Sequence, residues 1–140
     1  MLAAIAAAEH GHQVQLFEKN EKLGKKIYIT GKGRCNVTNA CDTEELFAAV
    51  VHNPKFLYSS FYSFINQDMM ELVERNGCPL KTERGGRVFP VSDKSSDVIW
   101  ALTVCLKNAG VQVRLYEEVD SVETRDGRVS GIRLKKTREI

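Results

Sequence analysis

Leu2-Ala3-Ala4-Ile5-Ala6-Ala7-Ala8-Glu9, then Gly11, then Val14-Gln15-Leu16-Phe17-Glu18, is the stretch whose reading decides the fold. Residues 2–9 are strong helix formers, and their small side chains suit close packing on a sheet. Gly11 stands where a helix C-cap needs a positive φ. Val14 to Phe17 then read as a strand that ends on the carboxylate of Glu18. Helix, turn and strand in that order form the second part of a βαβ unit. The strand and glycine-rich loop expected to open such a unit do not occur in the sequence.

The residues after Glu18 give that unit a chemical meaning. Lys19-Asn20-Glu21-Lys22-Leu23-Gly24-Lys25-Lys26 runs on to Thr30-Gly31-Lys32-Gly33-Arg34-Cys35-Asn36-Val37-Thr38-Asn39. A carboxylate at the end of the second strand of a dinucleotide fold accepts hydrogen bonds from ribose hydroxyls. A 2′-phosphate there would meet like charge, so Glu18 favours FAD or NAD over NADP. Gly31 and Gly33 allow the backbone to approach a ligand closely. Lys32 and Arg34 can neutralise phosphates or an anionic ring edge. No GxxxxGK[ST] loop is present. A basic surface loop with turn residues explains the same letters equally well, and a surface Glu after a strand is common.

Further along, Asp42-Thr43-Glu44-Glu45 predicts a helix start capped by Asp42 or Thr43, with Leu46, Phe47 and Val50 inward. Pro54 suits the first turn of a helix carrying Phe56, Leu57, Phe61, Phe64 and Ile65, aromatics expected in the core. A helix over 68–75 comes next, with Met69, Leu72 and Val73 inward, closed by Asn76-Gly77. Gly85-Gly86 between 80–84 and 87–89 predicts a hairpin whose tip carries Arg84 and Arg87. A long helix over 96–108 buries Val98, Leu102, Cys105 and Leu106. The strand of Val111, Val113 and Leu115 succeeds it. Asp126-Gly127 predicts a last hairpin, added antiparallel to a parallel sheet. The expected class is α/β: a partial Rossmann-like FAD/NAD(P)-binding domain with inserted short helices and hairpins, one domain over 1–140.

Composition narrows the function classes. The chain has 140 residues, 43% hydrophobic and 27% charged, with a net charge of +2. That balance gives no case for a nucleic-acid surface. No apolar run approaches the ~20 residues of a membrane span. The four cysteines form no CxxC pair. With no signal peptide, this predicts reduced thiols and a cytoplasmic setting. Zinc binding by Cys35, Cys41, His52 and Cys78 fits no common ligand spacing, so no metal is expected. Cys35 beside Arg34 is a candidate redox thiol, because neighbouring cations lower a thiol pKa.

These motifs resemble a known family. The segments Ala3–His12, Leu16–Lys26 and Thr30–Asn39, with Gly86-Arg87-Val88-Phe89-Pro90, look like the N-terminal part of the BaiN-like, or aminoacetone-oxidase-like, NAD(P)/FAD-dependent oxidoreductases. The resemblance covers essentially the whole chain, and the TGKGRCN stretch is its most specific part. It implies a two-dinucleotide-binding-domain flavoprotein with non-covalent FAD and hydride transfer through the flavin, NAD(P)H being a candidate electron donor. By position, Glu18 would bind the adenosine ribose. Lys19, Lys26, Thr30, Gly31, Gly33, Arg34, Cys35 and Asn36 would line the pyrophosphate, ribityl and flavin region. The backbone of Val119 would touch adenine. The family begins with a GxGxxG loop and continues past position 140. The sequence therefore reads as an internal piece of a longer flavoprotein, binding FAD weakly if at all. The alternative is an inactive remnant or binding module lacking the phosphate loop. A small-molecule substrate is expected.

Overall fold

The computed structural model describes residues 1–135 and shows an α/β chain folded as two compact units. The first unit holds residues 1–25 and 105 onward; the second holds Lys26–Val104.

In the first unit, α1 (Leu2–Glu9) ends at His10, and Gly11 comes next at φ 84°. β1 (Gln15–Glu18) pairs in parallel with β5 (Gln112–Leu115), Glu18 opposite Leu115. The two neighbouring strands are far apart in sequence, which fits a βαβ sheet. Among the described residues, Ile5, Cys105, Leu106 and Val111 are the buried apolar residues of this unit. β6 (Val119–Arg125) and β7 (Arg128–Leu134) form the hairpin expected from Asp126-Gly127. Both turn residues have positive φ, 52° and 72°, as a two-residue hairpin with native twist demands. The hairpin does not extend the parallel sheet as expected; it is a two-stranded sheet of its own.

The second unit is built around a three-stranded antiparallel sheet of order β2-β4-β3. β3 (Leu80–Thr82) and β4 (Arg87–Pro90) are the expected hairpin, joined through a tight turn at Arg84–Gly86. β2 (Thr38–Asn39) lies on the other edge of β4, a pairing that nothing in the loop-like letters of 20–42 announces. α2 (Lys25–Ile29) leads into a 3₁₀ turn, Thr30–Gly33. α3 (Thr43–Ala48) is capped by Asp42, whose Oδ1 accepts from the Glu45 amide at 2.8 Å. α5 (Asn66–Arg75) buries Val73 completely. α6 (Ser95–Asn108) buries Val98, Ala101 and Leu102 in this unit, while its last turn belongs to the first.

The aromatic segment departs from expectation. Pro54–Leu57 is a 3₁₀ turn, and α4 (Tyr58–Ser63) is only six residues long. No single helical face therefore runs from Phe56 to Phe64, and these two rings are 79% and 42% exposed rather than in the core. Phe47 instead gathers Tyr58 and Phe61 edge-on, at 4.7 and 4.9 Å between centroids.

Candidate functional site

In the first unit the parallel pairing of β1 and β5 brings their C-terminal ends together. The Glu117 amide donates to the Glu18 carbonyl at 3.0 Å, and the Tyr116 amide to the Asn20 carbonyl at 3.2 Å. Tyr116 adopts φ 61° as the chain turns out of β5. An open cleft of about 350 Å³ lies there, lined by Phe17, Glu18, Lys19, Glu117, Glu118 and Val119. That volume falls in the roughly 300–1,000 Å³ range of small-molecule sites. The structure thus collects Glu18, Lys19 and Val119 at one place, outside the carboxyl ends of parallel strands where such folds bind nucleotides.

Glu18 is held from one side only. The Asn20 amide and the Asn20 Nδ2 both donate to Oε1, at 2.8 and 2.6 Å. Among the described residues Oε2 faces no such donor, which leaves it for a ligand hydroxyl. Glu117 and Glu118 add two carboxylates that sequence reasoning gave no role. Glu118 is paired with Lys135 at 2.9 Å, which holds its carboxyl below the usual range. With Glu118 neutralised by Lys135, Glu18, Glu117 and Lys19 leave the cleft net negative, which suits a neutral, hydroxyl-rich group such as a nucleoside over a phosphate.

In the second unit the TGKGRCN loop has an unusual backbone. Gly31 and Lys32 are left-handed at φ 57° and 55°, and Gly33 is next at 86°. Arg34 is right-handed, and Cys35 returns to φ 59°. A right-handed residue followed by a left-handed one turns successive N–H groups toward one point, a nest for an anion or carbonyl oxygen. The Arg34 amide is used, donating to Gly31 O at 3.1 Å. Among the described residues the amides of Cys35 and Asn36 have no protein acceptor. A Cβ on Gly31 would sit 3.6 Å from the Asn36 nitrogen, so glycine keeps that amide uncovered. From Val37 onward the chain is fastened to β4, the Val37 amide donating to Val88 O at 2.8 Å.

Arg34 is engaged within the protein. Its Nη2 meets Glu83 Oε1 and Asp93 Oδ1, each at 2.5 Å, and its Nε donates to Asp93 Oδ1 at 2.8 Å. The guanidinium carbon lies 4.2 Å from the centre of the Phe89 ring. Lys81 Nζ completes the cluster, 2.7 Å from Asp93 Oδ2. Two cations face two carboxylates, so the group is internally neutral. Glu83 is held below its ordinary range by Arg34, and Asp93 by Lys81 and then Arg34; Arg34 is shifted up by Glu83 and Asp93. Sequence reasoning missed this clasp because its acids lie 49 and 59 positions from Arg34.

Cys35 follows Arg34 in the loop. Its side chain is buried, and burial pushes the thiol up; a hydrogen bond with Thr30 only partly offsets this. Arg34, spent on its carboxylates, does not activate the thiol. Thr30 Oγ1 also donates to Ile27 O at 2.8 Å, which ties the loop to α2. Lys26, Lys32 and Asn36 are exposed. At the hairpin tip, Arg84 and Arg87 are exposed and linked to each other, Arg87 Nε donating to Arg84 O at 3.1 Å. Among the described residues no three His, Cys, Asp or Glu side chains are grouped to hold a metal, so Cys35, Cys41, His52 and Cys78 do not assemble one. No helix there is long and apolar enough to cross a membrane.

The chain is similar in sequence to known proteins. The chain is 33% identical over 127 residues to the 3-dehydro-bile acid delta(4,6)-reductase of Clostridium scindens, covering 88% of this chain and 30% of that protein. It is 31% identical over 122 residues to the ribosomal RNA dihydrouridine synthase of Escherichia coli, covering 87% of the chain and 30% of the relative. The corresponding synthase of Haemophilus influenzae is 28% identical over 123 residues, with 88% and 30% covered. The chain therefore spans about 30% of the length of these relatives. The family model for the HI0933-like protein Rossmann domain matches residues 1–140. Parallel β1 and β5, the acidic end of β1 and the TGKGRCN loop thus belong to a member of the HI0933-like Rossmann-domain family.

Proposed function

We propose that the chain is the FAD-binding part of a flavin-dependent reductase that saturates a carbon–carbon double bond conjugated to a carbonyl group. The observation that carries the reading is the meeting of Glu18, Lys19 and Val119 in one nucleoside-sized cleft at the carboxyl ends of β1 and β5. The names of the relatives supply the reaction class. A 3-dehydro-bile acid delta(4,6)-reductase and a dihydrouridine synthase differ in substrate. Both names describe hydrogen added across a double bond whose electrons a nearby carbonyl can accept.

In this reading each residue has a limited task. Glu18 Oε2 accepts a ribose hydroxyl, with Asn20 fixing the carboxylate. The backbone at Val119 faces the adenine edge, and Lys19 closes the rim. In the second unit the amides of Cys35 and Asn36 donate to a carbonyl edge of the ring system. Lys26 and Lys32, exposed and outside the Arg34 clasp, supply positive charge where the ring becomes anionic on reduction. A bound flavin supplies hydride acceptance and donation; the protein contributes orientation and charge. NAD(P)H is the proposed electron donor. A small-molecule substrate fits the net charge of +2 better than a polyanion does.

The test is a visible and fluorescence titration of the purified chain with FAD. Weak saturable binding near 0.1 mM, ~5 kcal/mol, is expected, and it should be lost in Glu18→Ala. Binding that Glu18→Ala leaves unchanged would overturn the assignment of Glu18.

A further inference from the structure

We infer that Arg34 is a positioning residue, whose clasp with Glu83 and Asp93 sets the backbone of Cys35 and Asn36 for a ligand oxygen. The inference rests on the flavin reading of the Thr30–Asn36 loop and goes beyond it. An arginine in a basic, glycine-rich loop suggests a cation offered to a phosphate. The geometry points elsewhere. Its Nε and Nη2 edge is taken by Glu83 and Asp93, and one face of the guanidinium lies over Phe89.

The clasp sits where the loop most needs an anchor. Cys35, the next residue, holds φ 59° without being glycine, a conformation that surrounding structure must impose. Asp93, at the other end of the clasp, is likewise left-handed at φ 57°. The loop is pinned behind Cys35 by Arg34 and ahead of it by Val37 on Val88. The two amides between these pins, Cys35 and Asn36, are the ones without an acceptor among the described residues. Lys81 neutralises the second carboxylate, so the clasp adds no net charge beside the ligand.

The direct-ligand and positioning roles differ in sign at Glu83. If Arg34 bound the ligand, Glu83 would compete for it, and Glu83→Gln would tighten binding. If Arg34 positions the loop, Glu83→Gln weakens binding as Arg34→Gln does.

The experiment uses the isotope-labelled chain and its Arg34→Gln, Arg34→Lys and Glu83→Gln variants, each with a folded spectrum. Backbone couplings that report φ at Cys35 are read without ligand, and riboflavin is then titrated. The wild type should report positive φ at Cys35. Arg34→Gln and Glu83→Gln should both average it and weaken riboflavin binding several-fold, and Arg34→Lys should restore part of each. An unchanged Cys35 coupling in both variants, or tighter riboflavin binding by Glu83→Gln, overturns the inference. Riboflavin that binds no form of the chain defeats the flavin reading, while the coupling result still decides the positioning role.

Discussion

Asn20 grips Glu18 through two donors on one oxygen, at 2.8 and 2.6 Å, and leaves the other oxygen to the cleft. The carboxylate is thereby oriented before any ligand arrives. A charge-assisted hydrogen bond is worth about 1.5–3 kcal/mol. Glu18→Gln should weaken binding of an adenine dinucleotide by roughly tenfold to a hundredfold by the same scale. A ribose bearing a 2′-phosphate should bind less well than its unphosphorylated counterpart, and Glu18→Gln should narrow that gap. Calorimetric titration with the two nucleotides measures both effects.

Gly86 faces Asn39 across the β2–β4 edge. A Cβ at Gly86 would lie 2.3 Å from Asn39 Oδ1, and its φ of 72° is one that other residues rarely adopt. Asn39 cannot swing away without losing its bonds to Gly85 O and the Cys41 amide, at 2.8 and 2.9 Å. Gly86→Ala should therefore destabilise the chain by about 2 kcal/mol, seen as a lower urea midpoint with unchanged slope.

The thiols should respond according to burial. Cys35, Cys78 and Cys105 are buried, whereas Cys41 is half-exposed. Alkylation followed by mass spectrometry should label Cys41 first and the other three only on unfolding. Burial pushes the Cys78 thiol from 9.0 up to about 11. The folded chain therefore keeps a proton that the unfolded chain releases. That contribution is whole below pH 9 and is lost as pH rises toward about 11. Urea midpoints should fall across that window, and less so in Cys78→Ala.

At acid pH the Arg34 clasp should fail in the opposite sense. Glu83 and Asp93 have carboxyls held below 4.5 and 3.8, so their contribution is present above those values. It is lost as pH falls through the depressed folded-state values. The stability difference between wild type and Glu83→Gln should be largest near neutrality and vanish in strong acid. A difference independent of pH would deny the ion pair a part in holding the loop.

Much of the fold was legible because it is local. The alanine run of 2–9, Gly11, the cap at Asp42 and the Asp126-Gly127 turn each state their conformation in adjacent residues, and each element forms as written. Other features depend on distant partners. β2 exists only because Thr38 meets Val88, fifty positions on, and its letters carry no strand pattern. The helical spacing that predicts Phe56 and Phe64 as core is broken by a 3₁₀ turn, and both rings are exposed. At the site, Glu18, Lys19 and Val119 meet in one cleft, while the partners of Arg34 come from far along the chain. Its chemistry is set by Glu83 and Asp93, and no spacing rule connects residues so far apart.

The end of β1 is proposed to take an adenosine, and the TGKGRCN loop a flavin ring. The most direct measurement maps amide shifts of the isotope-labelled chain, with adenosine diphosphate and riboflavin added separately at millimolar concentration. Adenosine diphosphate should shift Phe17, Glu18, Lys19, Glu118 and Val119, and riboflavin should shift Gly33, Cys35 and Asn36. Shifts confined to other residues, or none with either ligand, would contradict the claim.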